Sequence, residues 1–137
     1  MVIQAAPSVI MDVIADFPAY PTWAKGVQEA RVEGSNDSGR ANLVHFMLDV
    51  APIKDEYTLS YSWDQDNLVS WTLVQGNILK SLEGSYSLRE VDDVSTEVTY
   101  RLALDVSIPL IGMLKRKGEK LLIETALKGL KNRVESL

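Results

Sequence analysis

The chain has 137 residues, a formal net charge of −5 and no cysteine. This length is typical of one domain with its own hydrophobic core, and the absence of cysteine excludes disulfides and thiolate chemistry. The negative charge argues against a general nucleic-acid binder. The sequence contains no transmembrane-length apolar run and no basic start of a signal peptide, so we expect a single cytoplasmic domain over residues 1–137.

The first 26 residues predict a short strand followed by two short helices. Residues 1–5 form the expected strand, and Pro7 suits the first position of a helix. Pro18 ends this helix because it lacks a backbone donor, and Pro21 opens a second helical turn that carries Trp23. The first helix has one apolar stripe at helical spacing: Ile10, Val13, Ile14 and Phe17.

From about residue 27 the apolar residues recur at every second position, which predicts six strands with one apolar face. Turn-forming residues at 35–39, 64–67 and 91–95 separate successive strands, so we expect an antiparallel meander. The predicted inward residues are Val44, Phe46, Leu48, Val50, Tyr57, Leu59, Tyr61, Trp63, Val69, Trp71, Leu73, Leu82, Gly84, Tyr86, Leu88, Val98, Tyr100, Leu102, Leu104 and Val106.

The chain ends in a predicted long helix from near Pro109 to about Ser136, which must cover the apolar face of the sheet. Glycine costs up to about 1 kcal/mol in a helix interior, so Gly118 and Gly129 need a reason. Either they let the helix approach the sheet closely, or they leave an apolar chamber unfilled. The predicted inward stripe is Leu110, Leu114, Gly118, Leu121, Leu122, Thr125, Gly129 and Val134.

Four tyrosines, Tyr57, Tyr61, Tyr86 and Tyr100, point inward in this assignment. A buried hydroxyl without a partner costs about 1–3 kcal/mol. Several such hydroxyls are more easily satisfied if some of them line a pocket that holds water or the polar end of a ligand. The tyrosines therefore favour a cavity.

Three stretches carry a resemblance to a known family: DFPAYPTW at 16–23, DVAPIKDEYTL at 49–59 and SWTLVQG at 70–76. Together with the order of elements and the terminal helix, they resemble the START-like helix-grip (SRPBCC) superfamily. Within it, the chain is most similar to small actinobacterial proteins described as polyketide cyclase/dehydrase or lipid-transport-like. The similarity covers essentially the whole chain, although members carry several more residues before the first strand, so the chain looks shortened there.

This resemblance implies an α+β fold like that of START domains and the birch-pollen allergen. A curved seven-stranded antiparallel sheet would grip the C-terminal helix around a hydrophobic cavity, and the two short helices after strand 1 would close one end. Trp23 is then either a wall or lid residue at the mouth or a plug of the core. The expected ligand-contacting residues are Trp23, Phe46, Leu48, Tyr57, Leu59, Tyr61, Trp71, Leu73, Leu82, Tyr86, Tyr100, Leu102, Leu114, Gly118, Leu121, Leu122 and Thr125.

Catalytic groups are scarce. The single histidine, His45, falls on the polar strand face, where we expect it to be exposed and inert, and it has no partner for a Ser-His-Asp arrangement. No metal site or cofactor is expected. Asp55 is an ordinary solvated charge in this interpretation, with a role at the cavity rim as the less favoured alternative. The remaining acid candidates, all weak, are Tyr57, Tyr86 and Tyr100.

Three hypotheses follow. The leading one is binding of a lipid, isoprenoid or polyketide-like molecule in the cavity, without catalysis. The alternative is an aromatase/cyclase-type enzyme that uses the same cavity to hold reacting atoms close together. The weakest is a module that binds a ribosome or membrane through its basic terminal helix, whose charges are more simply a solvated face. Those charges are Lys115, Arg116, Lys117, Lys120, Lys128, Lys131 and Arg133.

Overall fold

A computed structural model describes residues 1–50, 53–107 and 112–137, with no account of the side chains of residues 50, 53 and 112–115. The strands are β1 (Val2–Ile3), β2 (Val27–Ser35), β3 (Ala41–Val50), β4 (Ile53–Asp64), β5 (Leu68–Gly76), β6 (Leu79–Asp92) and β7 (Ser95–Val106). The helices are α1 (Pro7–Ala15), α2 (Tyr20–Trp23) and α3 (Gly112–Glu135), with a 3₁₀ turn at Phe17–Ala19. The predicted helix start near Pro109 and the predicted inward side chains of Leu110 and Leu114 lie outside the described residues.

All seven strands form one antiparallel sheet in the order β1-β7-β6-β5-β4-β3-β2. Strands β2 to β7 each pair with their neighbours along the chain, which confirms the predicted meander. Strand β1 pairs with β7 at one edge. Register shifts in the β2–β3, β4–β5 and β6–β7 pairs mark irregularities of the bulge type, which bend strands and increase twist. The sheet is therefore curved, with one face turned towards the helices.

The prolines set the bounds of the early helices. Pro7 opens α1, which ends at Ala15, two residues before the 3₁₀ turn that contains Pro18. Pro21 lies in the first turn of α2, whose single turn presents Trp23. Residues fully or almost fully buried in this region are Ile10, Met11, Ile14 and Phe17. Helix α1 thus closes one end of the sheet with an apolar face.

The period-two pattern correctly assigned the sheet faces. The inward positions of β4 and β5, such as Leu59 and Trp71, are buried, whereas the intervening Ser62 and Thr72 are exposed. His45 lies on the outer face as predicted, but its side chain is only 20% exposed because it contacts Thr58 and Glu56.

Helix α3 differs from its predicted orientation at two positions. Leu121 is 62% exposed, because nine residues at 100° each place it half a turn from the fully buried Leu130. Gly118 is also exposed, and no described atom lies within 4 Å of a Cβ built on it. The prediction that Leu121 faces the core was therefore wrong, and Gly118 does not pack against the core. The inner stripe passes instead through Leu130 and Val134.

Gly129 has a different environment. A Cβ at this position would lie 3.4 Å from the carbonyl oxygen of Trp23 and 3.7 Å from its ring. Gly129 thus allows a close approach of α3, but to α2 and not, as predicted, to the sheet. At Gly118 the open space rules out a close approach to the described atoms.

Candidate ligand-binding site

The inner face of the sheet carries a continuous series of aromatic rings. Phe46 stacks on Tyr57 with ring centroids 5.4 Å apart, and it lies 6.5 Å from Tyr61. Tyr61 is 5.7 Å from Trp71, which in turn lies 5.6 Å from Tyr100. Such pairs add about 0.5–1.5 kcal/mol each beyond their area burial. The rings thus form one wall, the aromatic wall, across β3, β4, β5 and β7.

Gly84 creates the space in which Trp71 lies. The two residues pair directly across β5 and β6, and a Cβ on Gly84 would be 2.5 Å from Cε2 and Cζ2 of the indole. The indole therefore lies flat over the glycine backbone, a position that any larger residue would obstruct. This contact fixes how closely the indole of Trp71, the central ring of the aromatic wall, approaches the backbone of β6.

The tyrosine hydroxyls differ in their hydrogen bonding. Tyr20 on α2 donates to the carbonyl oxygen of Ile14. The hydroxyls of the four strand tyrosines form no hydrogen bond with any described residue. Each of these oxygens nevertheless keeps some accessible surface, since none of them is a fully enclosed polar atom without a partner. These four are Tyr57, Tyr61, Tyr86 and Tyr100. Such behaviour is expected of hydroxyls that line a space which water or a ligand can enter.

Burial raises the pKa of Tyr57, Tyr61, Tyr86 and Tyr100 well above the ordinary tyrosine value. Burial is also the largest cause for Tyr20, whose pKa is raised further by the nearby Tyr100. Neighbouring tyrosines raise the pKa of Tyr57, Tyr61 and Tyr86 further. All of them are therefore neutral at pH 7 and able to donate or accept a hydrogen bond.

Sequence reasoning missed Tyr20 as a member of this site. Its ring lies 6.2 Å from Phe46 and 5.0 Å from Trp23, so it joins α2 to the aromatic wall. Periodicity gave no signal because α2 has only four residues. The spacing of Tyr20 and Trp23, three apart on one helical turn, is the signal that indicates a shared face.

Several apolar residues beside the aromatic wall are only half-buried. Leu48, Leu73 and Leu102 point to the inner face of a compact domain, yet they retain accessible surface. A filled core would enclose them as it encloses Val44 and Val69, which are fully buried. Leu59 and Leu82 are buried below the same face, whereas Leu122 and Thr125 on α3 are half-buried. Leu48, Leu73, Leu102 and Leu122 thus pack against the core while they keep accessible surface, whereas Leu121 is exposed.

Trp23 lies where α2 meets α3. It is half-buried, it packs on Gly129, and its Nε1 is enclosed without a hydrogen-bond partner among the described residues. It also lines a surface groove of about 300 Å³ between α1 and α3, with Arg133 and Asp12 on the groove walls. Trp23 therefore lies at the outer surface and shares the α2 turn with Tyr20.

Asp55 corrects another expectation, because its side chain is 5% exposed and not solvated. Its carboxylate accepts backbone hydrogen bonds from Asn77, Ile78 and Leu79, at 3.1, 3.0 and 2.9 Å. It thus fixes the connection between β5 and β6, with both carboxylate oxygens engaged by backbone donors. Hydrogen bonds to a charged group are among the stronger ones in proteins.

Evidence for a metal centre or a membrane span is missing from the described part of the chain. No group of three or more histidine, aspartate or glutamate side chains there is arranged to hold a metal ion. None of the described helices has the length and apolar character needed to cross a bilayer.

A seven-stranded antiparallel sheet packed against one long helix, with two short helices at one end, defines a START-like helix-grip protein. The structure is similar to that of a START superfamily protein from Mycobacterium smegmatis, with a TM-score of 0.88 and 24% identity over 99% of this chain and 94% of the other. The Zhui aromatase/cyclase from Streptomyces sp. R1128 has a TM-score of 0.80 and 13% identity, over 98% of this chain and 90% of the other. A conserved protein from Geobacillus kaustophilus has a TM-score of 0.82 and 13% identity, over 99% of this chain and 92% of the other.

At these identities the structural likeness concerns the fold alone. The family is shown by the sequence, since residues 3–131 match the family model described as polyketide cyclase / dehydrase and lipid transport. The chain belongs to that family. No curated protein sequence matches it.

Proposed function

We propose that this protein binds a small hydrophobic molecule, such as a lipid, isoprenoid or polyketide-like compound, between the sheet and α3. The observation that carries the proposal is the combination of an aromatic wall with half-buried leucines and hydroxyls that have no partner among the described residues. Burial of apolar ligand surface would contribute about 25 cal/mol per Å² before the costs of association.

A matched pair of tryptophan substitutions tests whether the space is open. Leu73→Trp adds volume on the inner face of β5, and Thr72→Trp adds the same side chain on the exposed outer face one residue away. We expect Leu73→Trp to weaken binding of Nile red, a neutral apolar dye, at least about tenfold, and Thr72→Trp to leave it unchanged. Fluorescence titration of both variants measures this.

The stability of the same variant provides an independent check. If the space between sheet and helix is unfilled, Leu73→Trp enters it at little cost. Overpacking a filled core would instead cost about 1–3 kcal/mol. A strongly destabilised Leu73→Trp variant, together with a wild-type protein that does not bind the dye, would refute the binding function.

An aromatase/cyclase-type reaction is the second candidate, and the tyrosine hydroxyls favour it. Neutral phenols such as Tyr86 and Tyr100 can donate hydrogen bonds to a ligand carbonyl and polarise it, and the cavity would hold reacting atoms close together. Their raised pKa values make them poor bases at neutral pH. Loss of product formation with retained binding in Tyr86→Phe or Tyr100→Phe would support this candidate.

A further inference from the structure

The rings of all five tyrosines of the chain belong to one continuous aromatic cluster. They reach it from four elements: Tyr20 from α2, Tyr57 and Tyr61 from β4, Tyr86 from β6 and Tyr100 from β7. Phe46 links the first three, and Tyr86 and Tyr100 pair directly across β6 and β7 with ring centroids 4.6 Å apart. Hydrogen-bonding capacity is therefore concentrated on a face that is otherwise apolar.

No cation accompanies these hydroxyls among the described side chains. The lysines and arginines whose side chains the structure describes are exposed except Arg40, Lys131 and Arg133. Arg40 pairs with Asp66, and Lys131 pairs with Glu135. Arg133 lies in the outer groove beside α1. An anionic ligand on the aromatic wall would therefore find no opposite charge in the described residues.

The charged groups that do border this face are carboxylates. Asp55 is buried and precedes Tyr57 by two residues, on the same face of β4. Glu119 on α3 accepts a hydrogen bond from the backbone N–H of Leu104 at 2.8 Å. A carboxylate or phosphate on a ligand would be desolvated beside like charge. A buried charge needs an opposite charge or a full set of donors to offset its lost hydration.

Building on the proposed function, we propose that the site selects uncharged hydrophobic molecules that carry hydroxyl or carbonyl oxygens and rejects those that carry a carboxylate or phosphate. The strand tyrosines supply donors and acceptors for neutral oxygens. The lack of a cation among the described side chains and the bordering carboxylates disfavour an anion. Free fatty acids and phospholipid head groups are therefore excluded from the aromatic wall.

Three probes of one skeleton test this selection: naphthalene, 2-naphthol and 2-naphthoate, titrated into the full chain at pH 7 by calorimetry. We expect 2-naphthol to bind at least about tenfold more tightly than 2-naphthoate. The double variant Tyr86→Phe/Tyr100→Phe should weaken 2-naphthol binding about tenfold and leave naphthalene binding within about twofold. Ser85→Ala removes an outer-face hydroxyl on the same strand as Tyr86 and should change neither affinity.

The outcomes separate this inference from the function on which it rests. If 2-naphthoate binds as tightly as 2-naphthol, the selection is wrong although the binding function stands. If the double phenylalanine variant keeps the full affinity for 2-naphthol, the hydroxyls do not recognise ligand oxygens and the inference fails. If none of the three probes binds, the proposed function itself fails and the selection with it.

Discussion

The contact between Gly84 and Trp71 gives a sharp prediction for the substitution Gly84→Ala. The added Cβ would lie 2.5 Å from two indole carbons and 2.6 Å from Nε1, closer than nonbonded atoms approach. The indole is rigid, only 6% exposed, and within 6 Å of the rings of Tyr61, Tyr86 and Tyr100, measured between centroids. Trp71 therefore cannot yield without displacing part of the aromatic wall.

The size of the effect follows from two opposed contributions. Overpacking in a close-packed interior costs about 1–3 kcal/mol. Replacing glycine by alanine in a strand recovers about 0.5–1 kcal/mol of conformational entropy. The free energy of unfolding should fall by about 1–2 kcal/mol, which lowers Tm by roughly 3–8 °C for a domain of this size.

Thermal unfolding followed by circular dichroism measures the change, and the near-ultraviolet spectrum reports the displaced indole. Gly118→Ala is the matched control, because no described atom lies within 4 Å of its added Cβ and alanine is the better helix former. It should raise the free energy of unfolding by up to about 1 kcal/mol. A Gly84→Ala variant as stable as wild type, with an unchanged aromatic spectrum, would refute the close contact.

Two further predictions concern the buried carboxylate and the tyrosines. Asp55→Asn should lower the free energy of unfolding by about 2–3 kcal/mol, because an amide cannot replace a carboxylate that accepts hydrogen bonds from three backbone N–H groups. Urea denaturation measures this change. Asp49→Asn, on the exposed face, is the control and should have almost no effect. Burial raises the pKa of all five tyrosines above the value of about 10 that they have in the unfolded chain. Their contribution to the free energy of unfolding is therefore fully present below about pH 10, and it falls at higher pH by at most about 7 kcal/mol per pH unit. Tyrosinate absorbance at alkaline pH should therefore appear together with unfolding, and gradual ionisation of the folded protein would contradict the burial of these groups.

The sheet was predictable because each strand has one buried face, so the alternation of Leu59, Tyr61 and Trp63 with polar residues fixes both period and orientation. The prolines likewise locate the early helices, since a missing backbone donor acts locally. These signals are carried by short stretches of sequence. They required no knowledge of how distant elements pack.

The failures arise where distant contacts decide the outcome. Leu121 and Leu122 are adjacent leucines on a long helix, and only packing against α1 and β7 determines which one turns inward. Asp55 looks like any charged residue in a strand until the β5–β6 connection folds back to donate three hydrogen bonds to it. Tyr20 sits on a single helical turn that is too short to show a period.

The meander has a consequence for how the protein is made. Strands β2 to β7 follow one another in the chain and in the sheet, whereas the β1–β7 pair joins strands distant in sequence, so these six strands can assemble from successive hairpins as the chain emerges from the ribosome. Helix α3 follows the sheet in the chain and is synthesised after it. During that interval α3 cannot yet cover the aromatic face. A hydrophobic cargo present during translation would therefore meet the site at its most accessible, before the mature protein exists.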